Sequence, residues 1–341
     1  MAVDQMKKIV TFGEIMLRLS PPAYQRLSQT ASFDVTYGGA EANAAVTLAN
    51  FGAPVSFISR LPENDLAAAA IGQLNLFRVK TDQIIFGGDR LGIYFLEPGA
   101  GRRNGKVIYD RQHSAMATIQ SGMLDWNEIF KDAGWFHWTG ITPAISASAA
   151  TVIKEAVHSA RRNGLIVSCD LNYRSALWKY GKSPVEVMPE LIRSCDVLIA
   201  DPEASEKMLG IESENHQKDF ASFVKELQRT FPNLQTIATT LRHSTDAGQL
   251  LLTGMMQQRK ELIQGKPHTI SQVVDRVGSG DAFAGALIFG LMHFEGNDQK
   301  ILDFAIASAV LKHSIPGDFN RVSVEEVFAL MNGDNGGQIR R

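Results

Sequence analysis

The chain has 341 residues, with 45% hydrophobic residues, two cysteines, and 34 Lys plus Arg against 36 Asp plus Glu. A chain this long can bury roughly three-quarters of its unfolded surface and needs no disulfide or metal to hold its fold, and its apolar content excludes disorder. A formal net charge of -2 excludes a dominant polyanion-binding surface, so no nucleic-acid partner is expected, although a local basic pocket stays open.

At roughly 150 residues per domain, the length allows about two domains. The first residues, MAVDQMKKIVTFGEIM, lack the apolar core and cleavage site of a secretory signal. The longest uncharged apolar run, Ala282–Met292, has 11 residues and is too short to span a bilayer. Cys169 and Cys195 lie in apolar stretches with no CxxC pair, and read as buried free thiols of a reducing compartment. A cytoplasmic protein with no membrane partner is expected.

Along the chain, short strand-like runs (KKIVTFG, PVSFIS, WFHWTG, LIVSCDLN, VLIAD, LQTIATT) alternate with helix-like segments at Glu41–Phe51, Ser146–Asn163, Phe220–Thr230 and Ala282–His293. That alternation predicts βαβ units and a mostly parallel sheet covered by helices on both faces. Residues 15–37 and 85–117 break it and read as hairpins, the second carrying GIYFLE and VIYDRQ on either side of PGAGRRNGK. We expect these two regions to combine into a small β lid over a core of residues 1–14, 38–84 and 118–335. The alternative is one core with decorated loops. Residues 336–341 read as a frayed tail.

The stretch SQVVDRVGSGDAFAGALIFGLMHF carries the chemistry. A strand-like run ends at Val274, and Gly278, Ser279, Gly280 and Asp281 open an apolar helix. Small residues let the backbone approach a ligand with converging N–H groups, and the helix N-terminus adds positive partial charge, making an anion site without lysine. Asp281 would repel a phosphate, so its useful role is to accept a proton from a hydroxyl attacking phosphorus. The plainer reading, a helix-capping aspartate, leaves the two glycines unexplained. A Walker A loop is absent, and a GxGxxG fingerprint begun at Gly278 places Phe283 at its third glycine.

DRVGSGDAF resembles the C-terminal signature of the ribokinase/PfkB family of carbohydrate kinases, written D-T-x-G-A/G-G-D-x-F/Y. About 240 residues earlier, YGGAEANAAVTLANFG resembles that family's N-terminal signature. Within the family, FGEIMLRLSPP, LGIYFLE, VIYDR, GWFHWTG, CDLNYRSALW and KHSIPGDFN read like the kinases of 2-keto-3-deoxygluconate. The resemblance implies a ribokinase-like α/β fold, and the edge strand of the expected lid invites a homo-oligomer. The resemblance also implies ATP with Mg²⁺ as cofactors, a monovalent cation being allowed for. The reaction implied is transfer of the γ-phosphoryl group to the terminal hydroxyl of that small-molecule sugar acid.

On the sugar side, the resemblance places Arg111 and Arg174 as cations for a carboxylate, since a guanidinium fork suits it. Tyr94 and Tyr109 would close over the ligand from the hairpin. Gly38 and Gly39 would bare their backbone to the sugar, with Asn43 behind them. Asp170 and Asn172 follow a strand, where ligand groups collect in open α/β sheets. Arg174 has the phosphate region as a second possibility. On the nucleotide side, Thr240 and Arg242 would neighbour phosphates, Lys312 or His313 would line the adenine edge, and Ala305, Ala307 and Ser308 would admit a flat base or simply pack helices.

Some positions depart from the family pattern. Where it shows Asn-x-x-Glu for Mg²⁺ and phosphate waters, the chain has Asp201-Pro202-Glu203-Ala204, leaving Asp201 and Glu203 as weak metal candidates. Pro62 replaces a glycine, and Gln112-His113-Ser114-Ala115 replaces Ala-Gly-Ser-Ala. Alternatives are a family kinase for 2-keto-3-deoxygalactonate or fructose, a non-catalytic sugar sensor, and a nicotinamide oxidoreductase.

Overall fold

The computed structural model describes residues 7–101, 103–211, 220–244, 249–259 and 261–333. The tail at 336–341 lies outside the described residues. The chain opens with β1 (Lys8–Phe12), β2 (Met16–Ser20), β3 (Asp34–Gly38), α1 (Ala40–Asn50), β4 (Val55–Ile58) and β5 (Arg60–Leu61). Then come α2 (Asp65–Leu76), β6 (Ile85–Phe86), β7 (Ile93–Glu97), β8 (Lys106–Asp110), α3 (Trp126–Phe130), β9 (Ala133–Thr139), α4 (Ile141–Ile145) and α5 (Ala147–Arg162). Past the midpoint follow β10 (Ile166–Asp170), α6 (Pro184–Ile192), β11 (Val197–Ile199), α7 (Pro202–Leu209) and α8 (Phe220–Thr230). The last part holds β12 (Thr236–Ser244), β13 (Leu250–Gln258), β14 (Glu261–Gln264), β15 (His268–Ile270), α9 (Ser279–His293), α10 (Asp298–Lys312) and α11 (Val324–Met331).

The large sheet runs β14-β13-β12-β11-β10-β9-β1-β4, with β15 also paired to β13. From β12 to β4 every neighbouring pair is parallel, and the β13–β15 edge is antiparallel. The expected α/β fold therefore has a mixed sheet with a parallel majority. Side chains alternate between two cores, as the period of a strand requires. Ile9, Phe57, Trp135 and Val197 enter the core with α1, α9 and α10. Their neighbours Val10, Ile58, Phe136 and Leu198 enter the core with α5 and α8. Burial on both faces explains why these strands read as continuous apolar runs. Helix starts follow local chemistry: Asn64 and Ser146 accept hydrogen bonds from the first turns of α2 and α5, and Ser323 with Glu326 forms a capping box on α11.

A second sheet, β3-β2-β7-β8, draws its strands from both regions that break the alternation. Its pairing puts Thr36, Arg18, Tyr94 and Tyr109 in one cross-strand row and Val35, Leu19, Phe95 and Ile108 in the other. The first row faces the core, where Arg18 and Tyr94 are buried; Val35 and Ile108 on the second are exposed. Parts of 85–117 lie elsewhere: Ile85–Phe86 pair with Arg60–Leu61, and Met116 packs in the α5 core.

One local expectation fails. The run ending at Val274 is not a strand. β15 stops at Ile270, and the backbone N–H groups of Val274 and Asp275 donate instead to the His313 carbonyl at 2.8 and 3.2 Å. This ties the approach to α9 to the far end of α10.

Candidate active site

The strands β1, β9, β10 and β11 end side by side, so the residues just past them share one rim of the sheet, the usual ligand edge of an open α/β fold. At this rim stands the start of α9. Gly278 is its N-cap with φ 82°, and a Cβ there would lie 2.0 Å from the Asp318 carbonyl oxygen. Both the left-handed turn and the close approach require glycine. Gly280 differs: the nearest atom to a Cβ built on it is Arg242 Nη2, 3.9 Å away. Nothing in the protein's own packing demands that glycine. It borders free space beside a guanidinium, and the same Arg242 Nη2 donates to Ser279 Oγ at 3.2 Å.

Asp281 completes that turn. Asn43 Nδ2 donates to its Oδ2 at 2.6 Å, and Asn43 Oδ1 accepts from the Gly39 N–H at 3.3 Å. The link depends on α1 packing tightly on α9. Gly285 lets the helices meet, since a Cβ there would stand 2.8 Å from Thr47 Cβ. Burial pushes the Asp281 carboxyl up to about 6, with the Asn43 hydrogen bond opposing the shift. Asp170, at the end of β10, is pushed up to about 7 by burial and then by Asp281, against the pull of Arg174. The Asn172 N–H donates to Asp170 Oδ1 at 3.0 Å from a left-handed backbone (φ 42°) that asparagine tolerates. Arg174 is exposed at this mouth and has no ion pair among the described residues.

Two raised carboxyls thus stand beside the N-terminus of α9, Asp281 in its first turn and Asp170 at the end of β10, an arrangement whose chemistry suits proton transfer next to an anion. The sequence profile of the pfkB family carbohydrate kinases matches residues 6–320. The chain belongs to that family. It is a sugar kinase, and the nicotinamide oxidoreductase alternative falls with that match. A solved 2-dehydro-3-deoxygluconokinase from Thermotoga maritima is 46% identical and superposes with a TM-score of 0.90, covering 96% of this chain and 99% of its own. A 2-dehydro-3-deoxygalactonokinase from Haloferax volcanii is 30% identical over 97% of this chain and 98% of its own length. A Xylella fastidiosa fructokinase solved with bound ATP shares the fold at 22% identity and a TM-score of 0.76, covering 96% of this chain and 98% of its own.

In this pfkB kinase several residues have duties other than those expected from sequence. Arg111 is buried and its Nε donates to Glu14 Oε2 at 2.8 Å; Nη2 bonds the same carboxylate, which also accepts from Ser114. Its charge is matched by Glu14, so it is not a free cation, and only Nη1 is left without a partner among the described residues. Tyr94 is buried with its hydroxyl bonded to Asp318, which prevents it from swinging over a ligand; Tyr109 is half-buried beside it, ring centroids 6.1 Å apart. Gly38 and Gly39 are required by the protein itself, because a Cβ on them would stand 2.0 Å from Asp318 Oδ2 and 1.9 Å from the Glu14 carbonyl.

On the nucleotide side, Thr240 is half-buried on β12. Ser308 is fully buried, donating to the Ala282 carbonyl and accepting from Asn320, so it joins α10 to α9. Lys312 is fully buried and donates to the Ile315 carbonyl at 3.0 Å. His313 is also buried, its Nδ1 against the Ala309 carbonyl. Asp201 caps α7 by accepting from the Ala204 N–H at 2.8 Å, and Glu203 is exposed on that helix. Both cysteines are buried free thiols. Among the described residues no group of three His, Cys, Asp or Glu side chains could hold a metal, and no helix is long and apolar enough to cross a membrane.

Sequence reasoning missed several buried charges, Glu14 among them. Glu41 on α1 is pushed up to about 7 by burial, against hydrogen bonds from Thr142 and Thr139. Arg18 joins Asp275 at 2.7 Å and Asp318 at 2.8 Å, carrying the second sheet onto the loop before α9. A signal for Arg18 was present: in MLRLS a charge sits between two leucines of one strand.

Proposed function

We propose that this pfkB kinase phosphorylates the terminal hydroxyl of a 2-keto-3-deoxy sugar acid, with 2-keto-3-deoxygluconate as the favoured substrate and 2-keto-3-deoxy-6-phosphogluconate as product. The observation that carries it is Asp281, elevated and hydrogen-bonded by Asn43 beside the open face of Gly280. Asp281 accepts the hydroxyl proton as oxygen attacks phosphorus, and a carboxyl near 6 is a stronger base than an ordinary one. The 278–281 backbone N–H groups and Arg242 face the charge of the transferring phosphoryl group.

The phosphate donor is ATP. Mg²⁺ would come with its phosphates and keep much of its water, which fits a rim with no three-residue metal cluster among the described residues; Asp170, close enough to Asp281 and Asp201 to feel both charges, would be the carboxylate to face it. When bound it neutralises phosphate charge. Binding the sugar under the second sheet excludes water from the transfer. That sheet's exposed outer row favours pairing with a second copy, and sedimentation analysis tests whether the protein is a homo-oligomer.

Arg174, exposed at the mouth and without an ion pair among the described residues, supplies the charge for the substrate carboxylate. Replacing it with Ala is expected to raise the KM for sugar acids about tenfold or more while changing that for a neutral sugar little; equal effects on both would place Arg174 at the phosphates. An ADP-coupled assay with 2-keto-3-deoxygluconate, 2-keto-3-deoxygalactonate, fructose and ribose tests the whole reading. The two acids lead if it holds, and their order identifies the stereochemistry. A lead for fructose or ribose overturns the acid assignment. No ADP release from any of them would select the sugar sensor, against which intact Asp281 and Gly280 argue.

A further inference from the structure

Against Gly278 of the proposed anion turn, four charged side chains are buried together. Arg18 bridges Asp275 and Asp318. Lys312 is fully buried beside them, and its Cε lies 3.3 Å from where a Cβ on Gly278 would stand. The Asp318 carbonyl is 2.0 Å from that same point. Burial weakens the ammonium's hold on its proton, and Asp275 and Asp318 counter this. The kinase mechanism as derived gives Lys312 nothing to do.

Its position does. Helices α9 and α10 are consecutive and packed together across a short connection, so the carbonyl end of α10 comes to lie beside the N–H end of α9. Lys312 is the last residue of α10. An unmatched helix C-terminus and two carboxylates behind Gly278 would oppose the field that the start of α9 offers a phosphate. Arg18 alone matches one carboxylate. Arg18 with Lys312 matches both.

We propose that Lys312 is a positioning residue for phosphoryl transfer, its buried ammonium cancelling the negative charge behind residues 278–281 so that their N–H groups act on the transferring group undiminished. This rests on the kinase reading above. The protein thus carries its own cation at this place, and wild-type turnover should be indifferent to replacing tetramethylammonium by potassium or ammonium.

Lys312→Met is expected to lower kcat about a hundredfold, the scale of losing one oxyanion donor, with the sugar KM changed less than threefold. Lys312→Met combined with Asp275→Asn restores the charge balance, and is expected to recover at least tenfold of that loss. Ammonium ions are expected to rescue Lys312→Ala in part. Tripolyphosphate affinity, measured by calorimetry without sugar, should fall about tenfold in Lys312→Met. A folded Lys312→Met with wild-type kcat and tripolyphosphate affinity overturns the proposal. So does a double variant no faster than the single one, or a wild type that needs potassium. If the wild type phosphorylates no sugar, the kinase reading fails, and the tripolyphosphate titration then decides the Lys312 proposal by itself.

Discussion

Asp281→Asn is expected to lose about a thousandfold in kcat while the protein becomes more stable, not less, at pH 8. The loss follows from removing the only group at the turn that can take the hydroxyl proton, and general bases contribute roughly 10²–10⁴-fold. Binding should survive. Asn keeps an oxygen to accept from Asn43 Nδ2, so the α1–α9 link at 2.6 Å is retained and the sugar KM should move little. Turnover within tenfold of wild type would remove Asp281 from the mechanism.

The gain in stability follows from the sign of the pKa shift. The Asp281 carboxyl stands at about 6 in the folded chain against 3.8 when unperturbed. The unfolded state therefore gives up this proton first, and stability falls as pH rises from about 4 through about 6. Asparagine removes that cost, so the variant's melting temperature should exceed wild type at pH 8 and equal it below pH 4. Wild-type kcat/KM should in turn fall tenfold per unit as pH drops below about 6. Asp170, near 7, adds curvature above that limb. A variant that melts lower at pH 8 would contradict a carboxylate whose burial is only partly offset by Asn43 and its neighbouring cations.

Much of this fold was legible because its signals are local. The strands β1, β9, β10 and β11 are short apolar runs buried on both faces, and helices α1, α5, α8 and α9 stand within three residues of where the sequence placed them. The turn at 278–281 was legible for the same reason: two glycines and an aspartate state a conformation and a charge in four residues. Partnerships across the chain were not. Arg18 meets Asp275 and Asp318 at separations of 257 and 300 residues, and Arg111 meets Glu14 across 97. A lone arginine in a strand looks the same whether its partner is a substrate carboxylate or an aspartate of the protein. That ambiguity explains why Arg111 and Lys312 were read as ligand contacts. Gly38 and Gly39 were misjudged alike, since a glycine gives no hint whether ligand or protein needs the room.

Arg18→Met should cost about 3–5 kcal/mol of stability, the scale of breaking a buried ion pair from one side. Its guanidinium is held at three points, by Asp275 at 2.7 Å, Asp318 at 2.8 Å and Ser20 Oγ at 2.9 Å. Methionine fills much of the volume but leaves two buried carboxylates against the single charge of Lys312, and that desolvated charge, more than the lost attraction, sets the magnitude. Protonation relieves it. Burial already holds Asp318 above the ordinary carboxylate range with Arg18 pulling it down, so without Arg18 it rises further. The deficit of the variant in urea unfolding should therefore be largest at pH 8 and shrink toward pH 5. Adding Asp318→Asn should recover part of it, because one of the stranded charges is gone. Activity should suffer beyond stability. The Asp318 carbonyl backs Gly278, its carboxylate backs Gly38, and it holds the Tyr94 hydroxyl, so one displaced residue disturbs the anion turn and the second sheet together. A loss below about 1 kcal/mol, or one unchanged between pH 8 and pH 5, would mean that the triad behaves as an ion pair of the ordinary weak kind and not as the clamp between the second sheet and the segments flanking α9 and α10.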